Sequence, residues 1–146
     1  MRYQRAEPPA RLNGHDAASR FFAHCFESSP PANGATSDNK ARHDAERLWV
    51  AHPDAEARCM QLSSHDGGPE SVDLPVRDII NDAARLGSAG IVLAHNHPSG
   101  DASPSEADCR ATRRLALAAE AIDLAIVDHL VFGAGECRSF RRMGLL

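Results

Sequence analysis

The chain is poor in several things. Among its 146 residues there is one lysine, one tryptophan and one tyrosine, and no apolar run approaches the roughly 20 residues a membrane span needs. Its opening, MRYQRAEPPARLNGHD, has no apolar stretch of the kind a secretory leader carries, so a cytoplasmic protein is expected. A basic excess is also missing. The net charge of −4 argues against a chain that grips nucleic acid by bulk electrostatics. Arginines cluster only mildly, at Arg110, Arg113 and Arg114 and again at Arg138, Arg141 and Arg142, and read as a solvated helix face and tail. No CxxC pair occurs: Cys25, Cys59, Cys109 and Cys137 are scattered, which suggests reduced thiols rather than a zinc ribbon or a dithiol redox site. What remains is ordinary for a globular chain. With 42% hydrophobic and 25% charged residues, one core is affordable, and a disordered, collagen-like or coiled-coil protein is excluded.

Punctuation divides the chain. Asp16 to Phe26 reads as a short amphipathic helix with Ala17, Phe21 and Cys25 on one side. Ser28 to Ala41 is rich in Pro, Gly, Ser and Asn and reads as a linker, so residues 1–42 form a helix plus linker and a domain spans 43–146. Strands are expected at Leu48–Ala51, Arg58–Ser63 and, weakly, Ser71–Leu74. Pro75 opens a helix whose stripe is Val76, Ile79, Ile80, Ala83 and Ala84, with Gly87 as its stop. Gly90 to Ala94 is uniformly apolar, as in a strand covered on both faces. Ser103, Pro104 and Glu106 look like a helix start with a capping box, the helix running to about Ala121 with Ala111, Leu115, Ala118 and Ile122 inward. Leu124–Phe132 and Cys137–Phe140 are the last strands expected. Helices and strands in this order imply an α/β sheet flanked by helices.

The chemistry concentrates in His95-Asn96-His97 and the turn and helix that follow. Histidines at i and i+2 of an extended segment point the same way, about 7 Å apart along the chain, and can converge on one ion. Ser105 and Asp108, three apart, share a helix face that can turn back toward them. Two imidazoles and a carboxylate leave a tetrahedral position free for water, the form of catalytic zinc sites. Such chemistry also needs a general base and a donor for the oxyanion, and Ser105 suits the second role. Other metal chemistries fail on their motifs. The H-x-E and P-C-x-x-C of zinc deaminases and the HExxH of zincins are both missing.

His95-x-His97-x7-Ser105-x2-Asp108 resembles the JAMM (MPN+) zinc-hydrolase pattern, and HNHPSGD followed by PSEAD resembles its RadC-like branch. The likeness takes in the helix at Pro75, Asp128-His129 and the closing Met143-Gly144-Leu145-Leu146, about residues 43–146. It implies the JAB/MPN fold, a curved mixed sheet between helices akin to cytidine deaminases. It implies one zinc ion on His95, His97 and Asp108, and Ser105 stabilising the tetrahedral intermediate. It further implies an upstream glutamate as base. Glu46 matches best, while Glu27, Glu56 and Glu70 are followed by less suitable sequence. Residues 52–70 depart from the pattern, and the helix-hairpin-helix region that precedes many such domains is not seen. The expectation is therefore a zinc metallopeptidase or isopeptidase acting on a peptide or protein. A DNA-repair binding module and a catalytically silent scaffold are the alternatives. His129 is a candidate neighbour to the ligands. His15, His24, His43, His52 and His65 are expected to face solvent.

Overall fold

The computed structural model describes residues 2–4, 10–28, 45–67 and 73–146. Residues 29–41 of the proposed linker, the 42/43 boundary, His43, Glu70, Ser71 and Val72 lie outside the described residues, while Ser28, expected to open the linker, ends α1. Nine elements are described in chain order: β1 (Arg2–Gln4), α1 (His15–Ser28), β2 (Arg47–Pro53), β3 (Cys59–Asp66), α2 (Val76–Leu86), β4 (Ile91–Asn96), α3 (Glu106–Glu120), β5 (Ile126–Gly133) and β6 (Glu136–Ser139). The strands form one mixed sheet in the order β1-β3-β2-β4-β5-β6. All neighbours are antiparallel except β4 and β5, which run parallel with α3 as their crossover.

Two cores lie on opposite faces, as strand alternation requires. Trp49, Ala51, Val92, Ala94 and Leu130 pack against Ala18, Phe22 and Cys25 of α1. Leu48, Val50, Ile91 and Leu93 pack against Ile79 and Ala83 of α2 and Leu115 and Ala119 of α3. Coverage on both faces explains why β4 opens with the unbroken apolar run Ile91 to Ala94, and burial continues through His95. This is the layered α/β architecture, a mixed sheet between helices, that the resemblance implied.

Several local expectations shift. The inward side of α1 is Ala18, Phe22 and Cys25, one step round from the Ala17–Phe21 stripe. In α3, Thr112, Leu115 and Ala119 face the core, while Ile122 is exposed. Ala84 of α2 is exposed too. Residues 2–4, read as polar tail, form β1 against β3 by backbone pairing, which side-chain periodicity does not report. Asp73 and Leu74 are not in a strand. His52, expected in solvent, is fully buried in β2. The Pro53-Asp54 turn signal masked its inward register next to Val50.

Candidate metal centre

The centre sits where β4 ends and α3 begins. Ser105, not Ser103, is the N-cap of α3, and the box partner is Asp108 rather than Glu106. Ser105 Oγ accepts from the Asp108 N–H at 3.0 Å, and Asp108 Oδ2 accepts from the Ser105 N–H at 2.8 Å. Pro104 therefore lies just outside the helix. The box turns the Asp108 carboxylate back over the helix end, toward β4.

His95, on the α2/α3 face of β4, is 3% exposed, and His97 follows the strand in the turn. Their Nε2 atoms lie 2.9 Å apart. Asp108 Oδ2 is 3.0 Å from His97 Nε2 and 3.4 Å from His95 Nε2. Three potential ligand atoms thus converge on one point, and His95, His97 and Asp108 could hold a metal ion.

Surrounding hydrogen bonds decide which ring nitrogens carry protons. Thr112 Oγ1 donates its only proton to the Asp108 carbonyl at 2.7 Å, because that oxygen can only accept. Thr112 Oγ1 must then accept from His129 Nδ1–H, 2.8 Å away. His129 Nε2 is left bare and accepts from His95 Nδ1–H at 2.7 Å. His97 Nδ1–H donates to the Asp101 carbonyl, also at 2.7 Å. In the neutral rings both Nε2 lone pairs therefore point at Asp108. Bare lone pairs this close repel unless a cation, proton or metal, lies between them.

Electrostatics agree with that picture. The hydrogen bond to Asp108 raises the His97 imidazole above its ordinary value, against burial, with the Asp101 carbonyl and the charges of Asp108 and Glu46 adding to it. Burial pulls the Asp108 carboxyl upward, but the hydrogen bonds from His95 and His97 prevail and hold it well below the usual range. Burial pushes His129 well down, so this ring, stacked on Phe140 at 4.6 Å, is a neutral relay. A cavity of about 10 Å3, room for roughly one water, touches Leu48, Leu74, His95, Asp108, Ala111 and His129. On its other side His97 borders a groove of about 620 Å3 that includes Phe26, Pro98, Phe132 and Cys137.

Glu46 is buried, just ahead of β2. It lies two residues before Leu48, which pairs with His95 at the end of the β2–β4 ladder, and its charge acts on His97. Of its rivals, Glu56 is an exposed turn residue paired with Arg58, and Glu27 lies at the end of α1. Ser105 is exposed, with its hydroxyl proton uncommitted to the cap. Spacing overlooked the Thr112 hydroxyl and the Asp101 carbonyl. Thr112 stands four residues after Asp108, one helical turn on, a usable signal. The Asp101 contact is made by backbone and has no residue-type signature.

The RadC-like JAB domain profile matches residues 28–145. A UPF0758 protein from Chloroflexus aggregans is 35% identical over 103 residues, covering 70% of this chain and 45% of that relative. A UPF0758 protein from Chloroflexus aurantiacus is 37% identical over a stretch with the same coverage. The chain belongs to the RadC-like JAB-domain family. The match takes in about half the length of these relatives. No helix among the described residues is long and apolar enough to cross a membrane.

Proposed function

We propose that the chain is a zinc-dependent hydrolase of amide bonds, a metallopeptidase or isopeptidase. The observation that carries this is the convergence of two imidazole Nε2 atoms and one carboxylate oxygen within 3.4 Å of one another, with the tautomers fixed from outside. In a tetrahedral zinc site with ligand bonds of about 2.0–2.1 Å, neighbouring ligand atoms lie about 3.3 Å apart, which supports His95, His97 and Asp108 as the three ligands. Bound zinc supplies a Lewis acid that brings the pKa of water to about 7. Glu46 takes a proton from the attacking water and later delivers it to the leaving amine. The Ser105 hydroxyl donates to the oxyanion that develops on the carbonyl oxygen. Asp108 remains ionised, and His129 and Asp101 hold the two imidazoles in their ligand tautomers. A peptide or protein is the substrate class this chemistry serves.

Metal analysis tests the first half. About one zinc per chain is expected in the purified protein and a marked loss in His97→Ala; no zinc in either overturns the reading. A mixed peptide library, with and without a chelator, tests the second half. Chelator-sensitive cleavage is expected, whereas no cleavage by the zinc-loaded chain would make the domain a metal-binding scaffold.

A further inference from the structure

Asn96 lies between His95 and His97 in sequence and takes no part in the metal centre. Its side chain leaves β4 on the face opposite to His95. Its amide meets the backbone on both sides of Glu46. Oδ1 accepts from the Arg47 N–H at 2.7 Å, and Nδ2 donates to the Ala45 carbonyl at 3.1 Å. The two contacts fix the amide orientation, because a flip would set NH2 against N–H and carbonyl against carbonyl. The Glu46 carbonyl is itself held by the Gly67 N–H at 3.0 Å. The paired β2–β4 register ends at Leu48 and His95, and past that point the Asn96 amide joins the two chains. One side chain thus spans the segment whose middle residue, Glu46, acts by its charge on His97.

We propose that Asn96 is a positioning residue: by clamping the backbone before and after Glu46, it holds that carboxylate at the metal centre. This rests on the reading of Glu46 as the proton-transferring group. The pairing of functions is economical, since the strand end that presents His95 and His97 on one side also carries, on the other, the clamp for the base.

The test is a binding cycle that needs no turnover. Acetohydroxamic acid chelates zinc through two oxygens and passes its proton to a carboxylate standing where the general base stands. Its affinity for the zinc-loaded full chain is measured in wild type, Glu46→Gln, Asn96→Ala and the double variant. Each single change is expected to weaken binding about tenfold, the scale of one hydrogen bond to a charged group. The double variant is expected to be no weaker than Glu46→Gln alone, because both act through one group. Zinc content stays at the wild-type level, and amide exchange at Arg47 accelerates in Asn96→Ala. Should Asn96→Ala fail to fold, Asn96→Asp runs the same cycle, keeping the Arg47 contact while repelling the Ala45 carbonyl. Wild-type affinity in Asn96→Ala, with Glu46→Gln weakened, overturns the clamp and leaves the base standing. Multiplying losses in the double variant overturn it too. Unchanged affinity in Glu46→Gln overturns the reading of Glu46, and the clamp with it.

Discussion

His129 should set the metal affinity of a site it does not join. Replacing it with leucine removes the acceptor of His95 Nδ1–H, 2.7 Å away, at a position that is 2% exposed. Without metal, His95 can escape by moving its proton to Nε2 and donating to Asp108, 3.4 Å away. With metal, that route is closed, because Nε2 is the ligand atom and Nδ1–H must stay protonated facing a hydrocarbon. A buried donor without a partner costs about 1–3 kcal/mol. Since only the loaded form bears it, the penalty falls on binding, and His129→Leu should weaken zinc about 10- to 100-fold, the usual range for partners behind a ligand. His129→Gln, whose amide oxygen can accept from Nδ1–H, should recover part of the loss. Thr112→Val should act in the same direction but less, since it only frees His129 to change tautomer. Competition against a chromophoric chelator near pH 7.5 reads all three. Wild-type affinity in His129→Leu, with the fold intact, would refute the tautomer argument.

The buried ring of His52, with no hydrogen-bond partner at either nitrogen among the described residues, is pushed by burial down to about 4. Between pH 4 and about 6.5 the unfolded chain binds a proton there and the folded one does not, so stability rises with pH across that window. On acidification from pH 7 to 4, metal-free wild type should lose about 3 kcal/mol more than His52→Leu; parallel urea-unfolding curves would contradict this. Ser105→Ala should cost about 1 kcal/mol of stability through the lost cap and, if the proposed hydrolysis is found, about 10²–10³ in kcat with zinc retained. A full rate would remove Ser105 from the chemistry. Gly133→Ala should destabilise by about 1–3 kcal/mol, because a Cβ there would drive into the Gly100 carbonyl and crowd the Ala102 nitrogen. The same strain reaches the loop that carries the Asp101 carbonyl, so weaker zinc binding should accompany the lower melting temperature.

Elements with a clear burial pattern, on one face or on both, were legible in the sequence. The helix at 76–86 stands where periodicity set it, and the apolar run expected as a strand over Gly90–Ala94 forms β4, which continues through His95 to Asn96. Elements joined by backbone pairing were not: β1 is a three-residue edge strand, and its hydrogen bonds to β3 leave no pattern in residue type. The burial of His52 is hidden in the sequence for a related reason. A histidine before proline resembles a turn, yet alternation from Leu48 and Val50 carries its side chain inward. At the metal centre, residues three or fewer apart in sequence were readable. The relay through Thr112 and His129 joins positions 17 apart and depends on α3 packing over β5, a tertiary fact.

The Ser105–Asp108 spacing, legible in the sequence as a shared helix face and half of a metal-binding pattern, is also the capping box that was expected at Ser103 and Glu106. As a capping box, it obliges the residue at the third helical position to fold its carboxylate back over the N-terminus. As half of a metal-binding pattern, it asks for a carboxylate aimed at the end of the preceding strand. The same atom, Asp108 Oδ2, meets both demands: it accepts from the Ser105 N–H and faces the two histidine nitrogens. The helix terminus favours negative charge there, which helps keep the carboxylate ionised before any cation arrives. Because that oxygen already spends a lone pair on the cap, it suits a single bond to an ion rather than a share in several. Moving the aspartate by one residue would therefore remove the cap and the ligand together, which gives the spacing a physical basis in the helix start itself.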